Sequence, residues 1–232
     1  MSAPKPIYYR YRFPAEIISH GVWLYHRFSL SFREVEDLLA ERGIRVSYES
    51  IRQWCSKFGP EYAAKLKRRR GRLGDMRHLD EVFISIRGQR HYLWRAVDQD
   101  GDVLDILVQR RRDGRAAKLF FRKLLKGQGS EPRRLVTDKL RSYGVAHRVV
   151  MPSVVHDTTR YANNRAELSH EPTRQRERQM RRFKSWWQAQ QFLTVHGMVG
   201  NLFRVGRHLL RAANHRLLRS RAFVEWNAVT CA

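Results

Sequence analysis

The chain is poor in cysteine: its 232 residues hold two, Cys55 and Cys231. Two thiols without metal-ligand spacing exclude a disulfide framework and a zinc cluster, and they suit a reducing compartment. Acidic residues are scarce as well. Asp and Glu number 22 against 46 Lys and Arg, a formal net charge of +24. No apolar run approaches the roughly 18–20 residues that a membrane span needs. The first residues carry no apolar core of the kind a secretory signal uses. A cytoplasmic location without membrane contact is therefore expected. No internal repeat is visible.

What is abundant is positive charge, and every third of the chain is net positive. Such an excess calls for a polyanion, most simply nucleic acid. Its spread favours a long footprint on a phosphate backbone over a localisation tail. The length allows one domain or two and is ample for a core.

Met1–Phe13 reads as an extended arm with four aromatics, expected to pack rather than to stack on bases. Pro14 suits the first turn of a helix reaching about Arg27. Ser31 followed by Glu34 is a capping box, opening a second helix that Gly43 stops. A third helix, with Tyr48, Ile51, Trp54, Cys55 and Phe58 at helical spacing, follows Ser47. Two short helices, a glycine turn and a polar-faced third helix fit a helix-turn-helix. Ser47, Glu49, Ser50, Arg52 and Gln53, near the start of that third helix, would face base edges in a major groove. The competing reading is a small helical cap used for packing or dimerisation. Lys67, Arg68, Arg69 and Arg70 read as a basic strap along phosphates. The expected organisation is a DNA-binding domain over 1–62, a basic linker over 63–75, a second domain over 76–203 and a basic tail over 204–232.

Three apolar runs, Glu81–Ile86, Tyr92–Val97 and Val103–Val108, are punctuated by Gly88 and by Gln99–Asp102. They predict an antiparallel meander. Asp80 and Glu81 open its first strand on opposite faces. A carboxylate facing inward there must be paired or bind a metal; the alternative is a solvated strand edge. Asp113 caps a predicted helix that buries Ala116, Ala117, Leu119, Phe120, Leu124 and Leu125. Arg134–Thr137 predicts a strand joining the sheet in parallel after that crossover helix, with Asp138 at its carboxyl end. Arg141–Gly144 reads as a turn, Val149–Met151 as a strand and Pro152–Ala162 as a loop. A last helical block begins near Asn163 and carries Glu167, with Pro172 expected to kink it.

In a ribonuclease H-like sheet the first and fourth strands are neighbours, so Asp80 and Asp138 would converge. The predicted class is α/β: a ribonuclease H-like catalytic domain, a mixed sheet flanked by helices, behind a helix-turn-helix. Three clustered carboxylates, Asp80, Asp138 and Glu167, would repel unless divalent cations bridge them. Oxygen-only ligation suits Mg²⁺ or Mn²⁺, and two such ions can serve phosphodiester chemistry.

The ordered set His78-Leu79-Asp80-Glu81-Val82, Tyr92–Asp98, Val136–Lys139, Ser142-Tyr143-Gly144, Asn163–Glu167, His170 and Arg182–Ser185 resembles the insertion-sequence-six family of bacterial DDE transposases. The resemblance runs from the helix-turn-helix to about Phe203. It implies the catalytic and metal-binding triad Asp80, Asp138 and Glu167, and a basic residue seven positions past the glutamate, here Arg174. Arg174, Arg178 and Lys139 are the expected DNA contacts of the catalytic domain. The resemblance further implies binding of terminal inverted repeats, nicking, strand transfer into target DNA, synapsis by a homodimer or larger assembly, and work at the bacterial nucleoid. Only 28 residues separate Asp138 from Glu167, fewer than in many members, which places a shortened loop near Pro152–Arg160. The rival from another class is a sequence-specific DNA-binding protein without catalysis. A purely hydrolytic nuclease is a second rival, which the helix-turn-helix disfavours.

Overall fold

The computed structural model describes residues 7–71, 74–159, 162–163, 166, 171–180, 183–204 and 210–231. The chain forms two compact units, one from Met1–Arg69 with Met198–Ala232 and one from Arg70–Gly197.

The first unit is helical: α1 (Ala15–Arg27), α2 (Phe32–Ala40), α3 (Tyr48–Arg69) and a C-terminal helix, Ala212–Thr230. The capping box at the start of α2 is complete, with Ser31 Oγ accepting from Glu34 N at 3.2 Å and Ser31 N donating to Glu34. Ile18, Val22, Val35, Leu39, Ile51 and Phe58 are fully buried where α1, α2 and α3 meet. The arm packs as expected: Tyr8 and Tyr11 lie on Phe58, and Phe13 lies edge-on to Trp54.

Two expectations about this unit give way. Most of the segment read as a linker is helix, because α3 runs through Gly59-Pro60 to Arg69. Pro60 removes one helical hydrogen bond, but Tyr62, Ala63 and Leu66 beyond it are buried. Tyr62 meets Trp226 edge-on at 5.5 Å between ring centroids. Burial of Tyr62, Leu66 and Trp226, about 1.5–3 kcal/mol for each side chain, together outweighs the proline's cost of about 3 kcal/mol. The tail read as an extra basic segment supplies the other half of this contact, its final helix burying Ala222, Trp226 and Val229.

The second unit holds a five-stranded sheet: β1 (Met76–Ile86), β2 (Gln89–Asp98), β3 (Val103–Gln109), β4 (Arg134–Val136) and β5 (Val155–Asp157). The order is β3-β2-β1-β4-β5. β1, β2 and β3 are antiparallel, while β4 runs parallel to β1 and β5 parallel to β4. This is the ribonuclease H-like sheet. Arg87 and Gly88, with φ of 51° and 78°, make the tight turn between β1 and β2; paired positive φ matches the twist of a two-residue hairpin. The next turn is closed by Asp98, whose Oδ1 accepts from the backbone of Asp100 and Asp102, both at 2.9 Å.

Helix α4 (Gly114–Gln128) starts on Asp113, which accepts from Ala116 N, and ends on Gly129 in the left-handed conformation. It packs Phe120, Phe121 and Leu124 against Leu79, Trp94 and Leu104. Leu119, expected inside, is half exposed, and Phe121 takes its place. Residues Arg141–Val150 form α5, not a turn and a strand; Tyr143 and Ala146 are buried in the same core as α4. The strand after Asp138 comes later, as β5, inside the segment expected to be a loop. Further helices are α6 (Glu171–Gln179), α7 (Trp186–Phe203) and the C-terminal helix, α8. Pro172 falls in the first turn of α6, where its missing N–H costs no helical bond.

Side chains close the outer edge of β3. Val108 donates to Gln190 and accepts from Trp186 Nε1; Ile106 accepts from Lys123 and Gln190; Leu104 accepts from Arg70 and Gln128.

Candidate active site

The site forms where β1 and β4 run side by side. Their ladder ends at His78↔Val136. Two residues on, each strand delivers an acid: Asp80 from β1, and Asp138 just past β4. Asp80 pairs across β2 with Arg95, and Glu81 with Trp94, so the two acids leave β1 on opposite faces, as alternation requires. The carboxylate oxygens of Asp80, Glu81 and Asp138 nonetheless come within 4.8 Å of one another.

Local bonds fix each acid. Asp80 Oδ1 accepts from Glu81 N at 2.8 Å, and Asp138 Oδ1 accepts from Leu140 N at 2.9 Å. Thr137 donates to the Asp138 carbonyl at 2.7 Å, with its hydroxyl 2.9 Å from His156 Nε2 on β5. Glu81 is the inward-facing acid, its side chain 1% exposed and ion-paired with Arg112. Burial, reinforced by the Asp138 charge, pushes its carboxyl up to about 7, against the pull of Arg112. Tyr143 acts on Glu81 electrostatically, without a hydrogen bond of good geometry. Burial and the neighbouring Asp80 also raise Asp138. Several negative oxygens this close, all hard donors, fit a divalent cation.

Asn163 donates from Nδ2 to the Leu79 carbonyl at 2.8 Å and is itself buried. It ties the chain four residues ahead of Glu167 to the residue before Asp80. Ala166 follows, buried, with its N–H on the Asn163 carbonyl at 2.9 Å. Glu167 and His170 lie outside the described residues.

Of the expected DNA contacts, Lys139 is exposed beside Asp138. It lines an open cavity of about 600 Å³ with Arg134, Val155, His156, Asp157, Thr158 and Thr159. Arg174 and Arg178 are exposed on α6. Between them Arg176 is buried, over the Phe192 ring, and Glu177 accepts from Ser85 N at 2.8 Å, fastening α6 to β1. In the other unit Glu49 grips Arg52 through two hydrogen bonds of 2.9 and 2.7 Å and accepts from Gln53. Ser47 Oγ accepts from Ser50 N, as a cap does. The basic run divides: Arg68 is exposed, Lys67 half-buried, Arg69 lies 3.4 Å from Glu225 and Arg70 donates to Val103 and Leu104 carbonyls. Arg70 is thus occupied in closing the sheet edge. Glu81, Arg112, Asn163 and His156 escaped sequence reading as site residues. The inward-facing carboxylate beside Asp80 gave a signal, and Asn163 stood in the motif that carries the family resemblance without being singled out.

A DDE-domain family model matches residues 74–206. The transposase for insertion sequence-like element IS431mec of Staphylococcus aureus strain Mu50 is 32% identical over 169 residues, 70% of this chain and 75% of that protein. The chain belongs to the insertion-sequence-six family of DDE transposases. The transposase for insertion sequence element IS257 in transposon Tn4003, also from Staphylococcus aureus, is 31% identical with the same coverage. Among solved structures, the catalytic domain of Mos1 mariner transposase is similar with a TM-score of 0.37 and 12% identity, over 62% of this chain and 87% of that one. The transposase is thus a metal-dependent polynucleotidyl transferase of DNA transposition. Among the described residues no helix is long and apolar enough to cross a membrane.

Proposed function

We propose that this transposase binds the terminal inverted repeats of its insertion sequence, nicks the element ends and transfers them into target DNA, with Asp80, Asp138 and Glu167 as the catalytic triad. The observation that carries the proposal is the meeting of Asp80 and Asp138 from neighbouring strands. The ions are Mg²⁺ or Mn²⁺, two of them, held by Asp80 and Asp138 with Glu167 completing the set. Bound there, they supply the charge that activates the attacking oxygen and offsets the leaving oxygen.

In the first step a water oxygen bonds to phosphorus at the element end as the P–O3′ bond breaks; the flanking strand keeps a 5′-phosphate, and the element strand leaves as a 3′-OH carrying the proton that water gives up. In the second, that hydroxyl attacks a target phosphodiester and displaces a second 3′ oxygen. No Ser or Tyr nucleophile is required. Lys139, exposed beside Asp138 and next to the Arg134–His156 cavity, suits the strand being cut. Arg174 and Arg178 extend that track, a guanidinium being suited to a bidentate grip on phosphate. Sequence reading falls to Ser47, Glu49, Ser50, Arg52 and Gln53. The Glu49 carboxylate supports it by fixing the Arg52 fork on the exposed helix start. Lys67 and Arg68 add phosphate contacts, a homodimer or larger assembly holds two ends, and the work is done at the nucleoid.

The test is incubation with labelled terminal-repeat DNA and Mg²⁺, scoring nicking and joining separately. Asp80→Asn, Asp138→Asn and Glu167→Gln each keep repeat binding and lose both reactions. Cleavage at the wild-type rate by any one variant removes that residue from the triad.

A further inference from the structure

Arg112 stands directly before Asp113, the N-cap of α4, in the short link after β3. Its Nε donates to Glu81 Oε1 at 2.6 Å, and its Nη2 is ion-paired with the same oxygen. That Nη2 also lies 3.8 Å from Asp138 Oδ2. The other Glu81 oxygen, Oε2, is buried without a hydrogen-bond partner. One guanidinium therefore spans a buried carboxylate and one of the acids assigned to metal. The guanidinium thus sets a positive charge against three carboxylates that lie within 4.8 Å of one another, and like charges repel more strongly where water is excluded.

We propose that Arg112 is a resident counter-cation of the acid cluster: a positioning residue that holds Glu81 and Asp138 beside Asp80 before a divalent cation arrives, and yields Asp138 to the cation when it binds. The two contacts differ in the way this requires. Toward Glu81 two nitrogens converge on one oxygen of an almost fully buried side chain. Toward Asp138 the separation exceeds hydrogen-bond distance, and both side chains are more than a third exposed, so this contact is the weaker one. A doubly charged ion held by Asp80 and Asp138 would outcompete a single charge at that range and repel it. Glu81 then keeps Arg112 close, so the ion meets a partly neutralised cluster. The transposase holds its site assembled without metal at the expense of some metal affinity.

The inference rests on Asp80 and Asp138 being metal carboxylates. It is tested on the full chain by calorimetric titration with Mn²⁺, and by thermal melting in EDTA and in saturating Mg²⁺. Wild type binding no Mn²⁺ would sink the metal assignment and this proposal together, before any variant is compared. Given binding, R112Q is expected to melt lower than wild type in EDTA and to regain part of the loss in Mg²⁺, the part that the Asp138 contact supplied. Its Mn²⁺ dissociation constant should fall about three- to tenfold, the effect of removing one partly screened charge near the ion. R112K, which keeps the charge without the fork, should lie between the two on both readouts and serves alone if R112Q does not fold. E81Q/R112Q, which removes an acid together with its partner, should recover wild-type melting in EDTA. A merely structural salt bridge predicts something else: equal losses in EDTA and Mg²⁺ with unchanged Mn²⁺ affinity. That result, or weaker Mn²⁺ binding by R112Q and R112K, overturns the proposal.

Discussion

Replacing Asn163 by Ala removes the donor that reaches the Leu79 carbonyl at 2.8 Å. One residue past the last β1–β4 pair, this amide stands in for a strand neighbour. Both groups are buried, so the orphaned acceptor costs roughly 1–3 kcal/mol. The cost can fall in two places. If the segment ahead of Glu167 stays docked, the whole unit bears it, and melting drops by about 2–4 °C per kcal/mol. If the segment detaches instead, the fold is spared and Glu167, proposed as the third acid, is carried away with it. The second is expected, because the Asn163 side chain ties the segment to β1 while the sheet keeps its own ladder. A docking penalty of that size lowers the rate about 5- to 150-fold, at 1.4 kcal/mol per factor of ten. Strand-transfer rates at saturating DNA and Mg²⁺, melting curves and repeat binding, measured on wild type, Asn163→Ala and Asn163→Asp, separate the cases. Asn163→Asp should be at least as slow, since a carboxylate cannot donate and adds charge beside Asp80. A normal transfer rate from a variant that melts several degrees lower would refute the link between this anchor and Glu167.

Arg174→Ala should raise the DNA concentration needed for strand transfer and leave the Mg²⁺ requirement unchanged, with Arg174→Lys recovering only part; a shifted Mg²⁺ requirement would remove Arg174 from the DNA track. Trp226→Ala should destabilise the helical unit by about 3–5 kcal/mol, read as a lower melting temperature. A fragment ending at Arg69 should bind repeats poorly unless residues 198–232 are supplied. Burial, with the neighbouring His147, holds His156 below its ordinary 6.5. The unfolded chain therefore takes up this proton first, so the contribution is complete above about pH 6.5 and fades as pH falls through the folded value. His156→Gln should flatten that slope in melting curves between about pH 5 and 7.

Legibility in the sequence followed how local the causes were. The meander could be read because alternation and the turns at Gly88 and Gly101 are written into adjacent residues. The caps at Ser31 and Asp113 are likewise single-residue signals. Arg141–Val150 misled because Val149 and Val150 at its end, followed by Met151, look like a strand. The helix wins through burial of Tyr143 and Ala146 against α4, while Val145 and Val149 stay exposed. The continuation of α3 past Pro60 depends on Trp226, about 160 residues away, which no local window contains. At the site, Asp80 and Asp138 could be paired from strand order alone. Arg112 could not, since it ends a run of three arginines and only the turn into α4 separates it from the others.

The closed outer edge of β3 bears on how copies of the transposase can associate. An open strand edge is a template for another strand, and chains crowded on one DNA molecule would meet at high local concentration. Here Gln190, Trp186, Lys123, Arg70 and Gln128 already occupy backbone groups along β3. Sheet-to-sheet zippering through that strand is blocked without a proline, and the one charged residue of β3, Asp105, takes part by pairing with Lys123. At this edge, copies brought together on DNA would meet through side-chain surfaces, which can be specific to orientation, rather than through backbone pairing, which propagates without limit.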